Sequence, residues 1–414
     1  MNRMIRIMTC AVVATMSMEA AMAALVIPSD GSDGALVVTS NRVIDLSLAA
    51  NGNWSDPGSG NGVYDASKWA VVFKYTSVTI NAGCTVTFKN HLKKAPVVWL
   101  VQSNVTINGT VNLNGQDQLA PPRLAEPGPG GFRGGNGYYG YGVSQAAGFG
   151  PGGGPIQVNG NSGYGGSYGT QGAYGPPTYG NPSLLPLLGG SGGAGLHDPY
   201  ERNRSGGAGG GAVLIAAAGV LANEGNIWAN GGSGNLGSGS GSGGGIRLIG
   251  ERIQGAGNIY AIGGSDVYGG GLGRISVERV TASQDLRFNP GPNVVQLTNG
   301  ATPQIWLPEG GPAVRIVSIG GQPAPVDPSA EFGAVGADTV LPMTGNVAVV
   351  VETTAVETNS VLTVRGTPRA NGNYTETNAV VSLVVSNSPL VLRWTANLPV
   401  LSGYSAFQVK VVRP

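Results

Sequence analysis

Along the first two-thirds of the chain, short runs of β-branched and aromatic residues alternate with polar ones and end at glycine or asparagine. Val71-Val72-Phe73 precedes Val78-Thr79-Ile80-Asn81-Ala82-Gly83. Val98-Trp99-Leu100 precedes Val105-Thr106-Ile107-Asn108-Gly109, displaced by 27 residues. The theme returns as Val213-Leu214-Ile215 before Val220-Leu221-Ala222-Asn223, and as Ile246-Arg247-Leu248-Ile249 before Asn258-Ile259-Tyr260. Arg274-Ile275-Ser276-Val277-Glu278-Arg279 then echoes Arg247-Leu248-Ile249-Gly250-Glu251-Arg252, again 27 residues on. Period-two alternation argues half-buried strands. A unit of this size, built only of strands and tight corners, cannot bury its apolar face alone and is read as one coil of a stacked solenoid. No segment after the leader keeps a helical apolar pattern over three turns. The expectation for residues 24–282 is therefore a right-handed parallel β-helix, its hand taken from the general preference of parallel crossovers. Val37-Val38 and Val43-Ile44-Asp45-Leu46 read as an earlier coil or cap.

The periodicity breaks between about Gln116 and Gly211, where glycine tracts such as 128–135, 148–154 and 189–195 replace it. Composition alone favours a disordered low-complexity loop. Eight of the chain's fourteen tyrosines lie here, which favours instead extended glycine chains packed on one face of the solenoid. Tyr138, Tyr139, Tyr141, Tyr164, Tyr168 and Tyr174 are the candidate ligand contacts, because a ring flanked by glycine offers an open face for stacking on a sugar. The alternative is that the same rings cover the solenoid wall. Arg133 and the polar run His197, Asp198, Glu201 and Arg202 complete the candidate set, as ligand contacts or as a solvated loop.

Residues 283–292 read as a polar, proline-containing linker. Beyond it, short strands at Val294–Leu297, Val314–Ile319, Val347–Thr353, Val361–Arg365, Ala379–Val385, Leu390–Thr395 and Ala406–Val412 have the spacing of a sandwich. The expectation for residues 293–414 is an immunoglobulin- or fibronectin-like β-sandwich with Trp394 in its core. The fold class is thus all-β throughout.

Composition narrows the function. Of 414 residues 72 are glycine, and charged residues are 11% with a net charge of +1, against about 7% glycine and about 25% charged in ordinary domains. A sparsely charged, near-neutral chain is a poor nucleic-acid binder, and the glycines lack the triplet period of collagen. Arg3 and Arg6, an apolar stretch from Ile7 to about Met18 and the small-x-small Ala21-Met22-Ala23 read as a signal peptide over 1–23. The stretch is too short for a membrane span, so the expected location is secreted or cell-surface. Cleavage would remove Cys10 and leave Cys84 alone, a buried thiol with no disulfide partner. No metal site or cofactor is expected. The glycine strings lack a following Gly-Lys-Ser/Thr and a strand-to-helix context. Asn51, Asn53, Asp56, Asn61 and Asp65 around Trp54 read as a hydrogen-bonded turn cluster rather than a calcium loop. No catalytic residue is assigned. Glu251 and Glu278, beside Arg252 and Arg279, read as a ladder of outward salt bridges between neighbouring coils.

The stretches Val43-Ile44-Asp45-Leu46-Ser47-Leu48, Lys68 to Tyr75, Phe88-Lys89-Asn90-His91 and Pro96 to Val101, with the glycine-rich coils, resemble an uncharacterised family of exported glycine-rich β-helix proteins of environmental bacteria. The resemblance spans roughly residues 36–280 and implies export and a β-helical fold; it transfers no catalytic residues. By composition the insertion also resembles the polyglycine sandwich of phage tail-tip adhesins. Together these readings point to an exported, non-enzymatic surface or matrix protein that binds a polysaccharide or cell-envelope ligand through the insertion. A polysaccharide lyase or glycoside hydrolase acting on the β-helix face is the alternative, and a purely structural solenoid the second.

Overall fold

A computed structural model describes residues 24–50, 54, 57–120, 123–138, 144–158, 160–198, 204–282, 285–329, 336–342 and 344–414. The expected signal peptide, and Asn51, Asn53 and Asp56 of the turn cluster, lie outside the described residues. The chain is all-β, and its first two-thirds, apart from residues 113–211 and the antiparallel strand Val63–Asp65, are built on parallel strands arranged in three ladders that it visits in turn. The first ladder holds Ala70–Tyr75, Val97–Val101, Ala212–Ala217, the start of Gly245–Gln254, Arg274–Ala282 and Asn293–Gln296. The second holds Ala35–Val38, Ser77–Ile80, Val105–Ile107, Val220–Asn223 and the end of Gly245–Gln254. The third runs from Arg42–Asp45 through Thr85–Lys89, Thr110–Asn112, Asn226–Trp228 and Asn258–Tyr260 to Arg287–Asn289. Alternation sends Val71, Phe73, Tyr75, Val97, Trp99, Val213, Ile215, Ile246 and Leu248 into one buried core between the ladders. Cys84 is buried in the turn between Ser77–Ile80 and Thr85–Lys89.

The register differs from the sequence echo. Val78 pairs with Val105, the 27-residue step, but Val71 pairs with Val97 and Gly245 with Arg274, steps of 26 and 29. Corners of unequal length absorb the differences while the strands keep their faces. As a result Glu278 opposes Ile249, and Glu251 does not stack upon it. Glu278 instead pairs with Arg247 at 2.6 Å. Both point away from the core, yet Arg247 is 2% exposed and Glu278 6%. The outer face of the first ladder is covered: Leu25, Ile27 and Ile305 pack on Val98, Leu100, Leu214, Ala216 and Ile249. Arg247 also donates to the carbonyls of Gln304 and Ile305 in this cover.

Between Asn112 and Ala212 the backbone forms a different array. Gly190, Gly193 and Leu196 donate to Gly210, Gly207 and Arg204; Gly192 and Gly195 donate to Phe149 and Ala146; Ala194 and His197 donate to Tyr164 and Asn161. Residues 205–211 repeat the scheme. Ser205, Ala208 and Gly211 donate to Leu119, Gln116 and Leu113, Gly206 and Gly209 to Gly135 and Phe132, and Gly207 and Gly210 to Gly239 and Ser242. A strand in a sheet bonds only to its left and right neighbours. An extended chain with three residues per turn turns successive amides by about 120° and bonds in three directions. The insertion is a bundle of such chains. Glycine is obligatory where they touch: a Cβ on Gly206 would fall 1.9 Å from the Gly193 oxygen. The glycine corners of later coils join the bundle, because Gly239 donates to Ala194, Ser242 to Ser191 and Gly243 to Gly271.

The C-terminal third is two antiparallel sheets. One orders Gln322–Pro323, Ala313–Ile319, Gly345–Thr354, Leu390–Val400 and Val380–Asn387; the other orders Thr375–Asn378, Val361–Pro368 and Ser405–Val412. Val347, Val349, Val351, Trp394 and Leu398 meet Leu362 and Val364 in the core between them, where the Trp394 indole N–H donates to Thr353 Oγ1 at 2.8 Å. Two expectations change. Asn293–Gln296, which overlaps the expected first sandwich strand Val294–Leu297, pairs in parallel with Ser276–Arg279 of the first ladder. Arg287–Asn289, inside the expected linker, is a further strand of the third ladder. The C-terminal unit is fastened to the glycine array: Gly372 exchanges backbone hydrogen bonds with Gln145 and Ala147, and Asn373 brackets Ile156.

Candidate functional site

The glycine array decides where each tyrosine ring goes. In residues 163–168 the donors again fall into three directions: Gly163 and Gly166 to Gly237 and Ser240, Tyr164 and Ser167 to Pro155 and Gly152, Gly165 and Tyr168 to Ala173 and Thr170. Positions 164 and 168 are four apart in a threefold helix, so their side chains leave on different sides. Tyr168 is fully buried and stacks on Tyr179 with ring centroids 4.6 Å apart. Its hydroxyl donates to the Leu188 carbonyl at 2.9 Å, and that of Tyr179 to the Gly189 carbonyl at 2.6 Å. Burial raises the pKa of both phenols, so they remain protonated donors. Tyr168, read as a ligand contact, is thus a packing residue between array and wall.

Tyr164 goes the other way. Its ring lies 5.0 Å from that of Tyr174 and 5.4 Å from that of Tyr268, which is 6.2 Å from Tyr174. Tyr174 is 73% exposed and sits at φ 51°, a left-handed backbone that a bulky residue seldom adopts. Tyr268 comes from outside the insertion, on the glycine corner between Asn258–Tyr260 and Arg274–Ala282, and anchors it by accepting the amide of Ser240. Nothing in its sequence context groups it with the others; only the amide pairing of residues 239–243 with 268–271 brings it there. Exposed Val267 adjoins it in sequence, and exposed Leu236 lies on the neighbouring corner. The cluster is a surface of three rings.

The remaining candidates divide. Tyr138 stacks on His197 at 4.2 Å with 28° between the planes, and Asp198 beside it is buried. Leu196, which accepts the amide of Tyr138, and Tyr268 both approach Gly237, so this pair belongs to the same end of the array. Arg133 does not join it. Its guanidinium pairs with Glu126 at 2.7 Å, and Lys94 pairs with the same carboxylate at 2.6 Å. Tyr139, Tyr141, Glu201 and Arg202 lie outside the described residues.

Elsewhere, Glu224 and Glu278 of the parallel ladders are engaged structurally. Glu224 accepts the amide of Ala256 at 3.1 Å, and Glu278 is held by Arg247. Among the described residues, no group of three or more His, Cys, Asp or Glu could hold a metal ion. No helix among them is long and apolar enough to cross a membrane. Comparison of the chain with protein-family models, with curated proteins and with solved structures finds no match to any of them.

Proposed function

We propose that this chain is an exported, non-catalytic surface or matrix protein that binds glycan or cell-envelope material through the exposed ring of Tyr174 and the half-buried rings of Tyr164 and Tyr268 beside it. The scaffold is read as a right-handed parallel β-helix carrying an immunoglobulin-like sandwich, in keeping with the likeness to exported glycine-rich proteins and polyglycine-sandwich adhesins. One observation carries the reading: three tyrosine rings from separate segments converge on an outer surface, one of them 73% exposed. Tyrosine pairs an apolar face with a polar tip and so suits contact with the C–H faces and hydroxyls of sugars. Holding exposed rings on a rigid backbone array lowers the ordering cost of binding.

The test is retention of the mature chain, from Ala24 onward, on immobilised polysaccharides and cell-envelope preparations. Removing the exposed Tyr174 ring costs little stability, within about 0.5 kcal/mol for ordinary surface positions, and removing half-buried Tyr268 costs about 1 kcal/mol. The Tyr174→Ala/Tyr268→Ala double variant is therefore expected to stay folded and to lose retention at least about tenfold, as two aromatic contacts are removed. Unchanged retention by a folded double variant would move the binding surface elsewhere. New reducing ends released in the same incubations, at a rate proportional to protein, would replace the reading with a glycan-cleaving one.

A further inference from the structure

A second site lies where the coil stack, the glycine array and the C-terminal unit meet. A cleft of about 410 Å³ there is walled by Trp69 from the coils, Phe132 and Phe149 from the array, and Phe407 from the C-terminal unit. This lies within the range of about 300–1,000 Å³ typical of small-molecule sites, which favour junctions between units and combine apolar walls with a few polar groups. None of these residues belongs to the tyrosine cluster.

Two observations go beyond the shape. Trp69 and Lys94, both lining the cleft, hold left-handed backbones at φ 48° and 51°. Such strain in non-glycine residues collects at ligand clamps and similar sites. The Trp69 indole donates to the Lys93 carbonyl at 3.0 Å, which fixes the ring's orientation. The side-chain oxygen of Gln408, another lining residue, is buried without a hydrogen-bond partner. A buried acceptor left unpaired costs free energy that a hydroxyl donor would recover.

The rim carries both signs. Lys93 pairs with Asp327 at 3.3 Å, and Lys94 and Arg133 share Glu126. A fixed anion or cation entering the cleft would meet its own sign, whereas hydroxyl groups both donate and accept and meet neither penalty. Aromatic walls, an acceptor in need of a donor and a two-signed rim fit one chemistry. We infer that the cleft takes the terminal neutral pyranose of a saccharide, its ring stacked among the aromatics and one hydroxyl donating to Gln408.

The chain contains six tryptophans, so a spectrum of indole N–H resonances in tryptophan-labelled protein can isolate Trp69, identified by its loss in Trp69→Phe. Titration with neutral methyl hexopyranosides is expected to shift the Trp69 resonance. Phe407→Ala and Gln408→Leu are each expected to weaken the response about fivefold, equivalent to one ring face or one hydrogen bond. Gln408→Leu fills the same space and removes the unpaired acceptor, so it tests the idea even if Phe407→Ala does not fold. No shift with any neutral hexopyranoside would overturn the inference, as would a full response in Gln408→Leu. Equal response to cyclohexylmethanol would make the cleft an apolar cavity, and preference for methyl glucuronide would make it an anion site; either would overturn it too.

Discussion

One methyl group is enough to probe the glycine array. A Cβ at Gly206 would lie 1.9 Å from the Gly193 oxygen, and one at Gly193 2.2 Å from the Gly239 carbonyl; in both cases the obstacle is backbone that cannot rotate away. Gly206→Ala is therefore expected to cost about 3 kcal/mol or more, the upper range for overpacked sites, read as a fall in the denaturant midpoint. Gly291→Ala is the control: nothing lies within 4 Å of its Cβ position, and the midpoint should hold. Tyr179→Phe should cost about 1–3 kcal/mol, since it strips a buried donor from the Gly189 carbonyl and the acceptor from the Ser191 hydroxyl, which keeps only the Gly152 amide. Tyr164 and Tyr168 show why such roles are hard to read from sequence. Both sit among glycine and serine, and only a period of three, invisible in a chain of repeated glycines, sends one ring outward and the other inward.

At the level of elements, the strands were legible and their stacking only in part. Alternating β-branched runs mark Ser77–Ile80 and Val105–Ile107, and their 27-residue step is the true register. The echo of Arg247–Arg252 in Arg274–Arg279 misleads because the corner between them is two residues longer than that step, as the pairing of Gly245 with Arg274 records. The consequence is chemical. Glu278 leaves the imagined surface ladder and becomes half of a covered ion pair with Arg247. Breaking a buried pair from one side leaves an uncompensated charge, so Glu278→Ala should cost about 3–5 kcal/mol, whereas Arg247→Met/Glu278→Leu should stay close to the parent. Thermal unfolding of the two variants side by side checks the contrast. The array resists a cruder test: deleting residues 127–203 would strip hydrogen-bond partners from Gly206, Gly209, Gly239 and Ser242. Point changes at exposed rings are the cleaner instrument.

Across the whole molecule, one buried imidazole ties stability to pH where coils and C-terminal unit meet. His91 is 2% exposed and stacks on Tyr64 at 4.3 Å, and its Nδ1 accepts the Lys93 amide at 3.2 Å. Burial holds its pKa below the ordinary histidine value, with the charge of Asp327 opposing and that of Lys93 assisting. The unfolded chain takes up this proton near pH 6.5, the folded chain only at lower pH. The unfolded form therefore binds more protons below about pH 6.5, and stability falls as the solution is acidified through that range. His91→Phe, which keeps a ring against Tyr64, should flatten the urea midpoint between about pH 6.5 and 5. A second loss should remain in both proteins below about pH 4.5. There the unfolded chain protonates Glu352 while the folded chain does so only at lower pH, its pKa being held down first by the hydrogen bond from Arg315 and also by Arg393. This cluster was not legible in sequence, because Tyr64 on the strand Val63–Asp65 and His91 and Lys93 on one turn are far apart in the chain, and Asp327 reaches them only by the docking of the C-terminal unit.

The cover over the first ladder ties distant moments of synthesis together. Leu25 donates to the carbonyl of Ala218, and Val26 to that of Ala301. A ribosome must therefore add about half of the polypeptide before Leu25 can reach its hydrogen-bond partner, and some three-quarters before Val26 can. Until then the flank formed by Val98, Leu100, Leu214 and Ile249 stays bare, a greasy strip on a half-made protein. Sequestering that strip during biogenesis would fall to a chaperone, and yield in a cell should respond to chaperone supply more steeply than the finished molecule's melting temperature does.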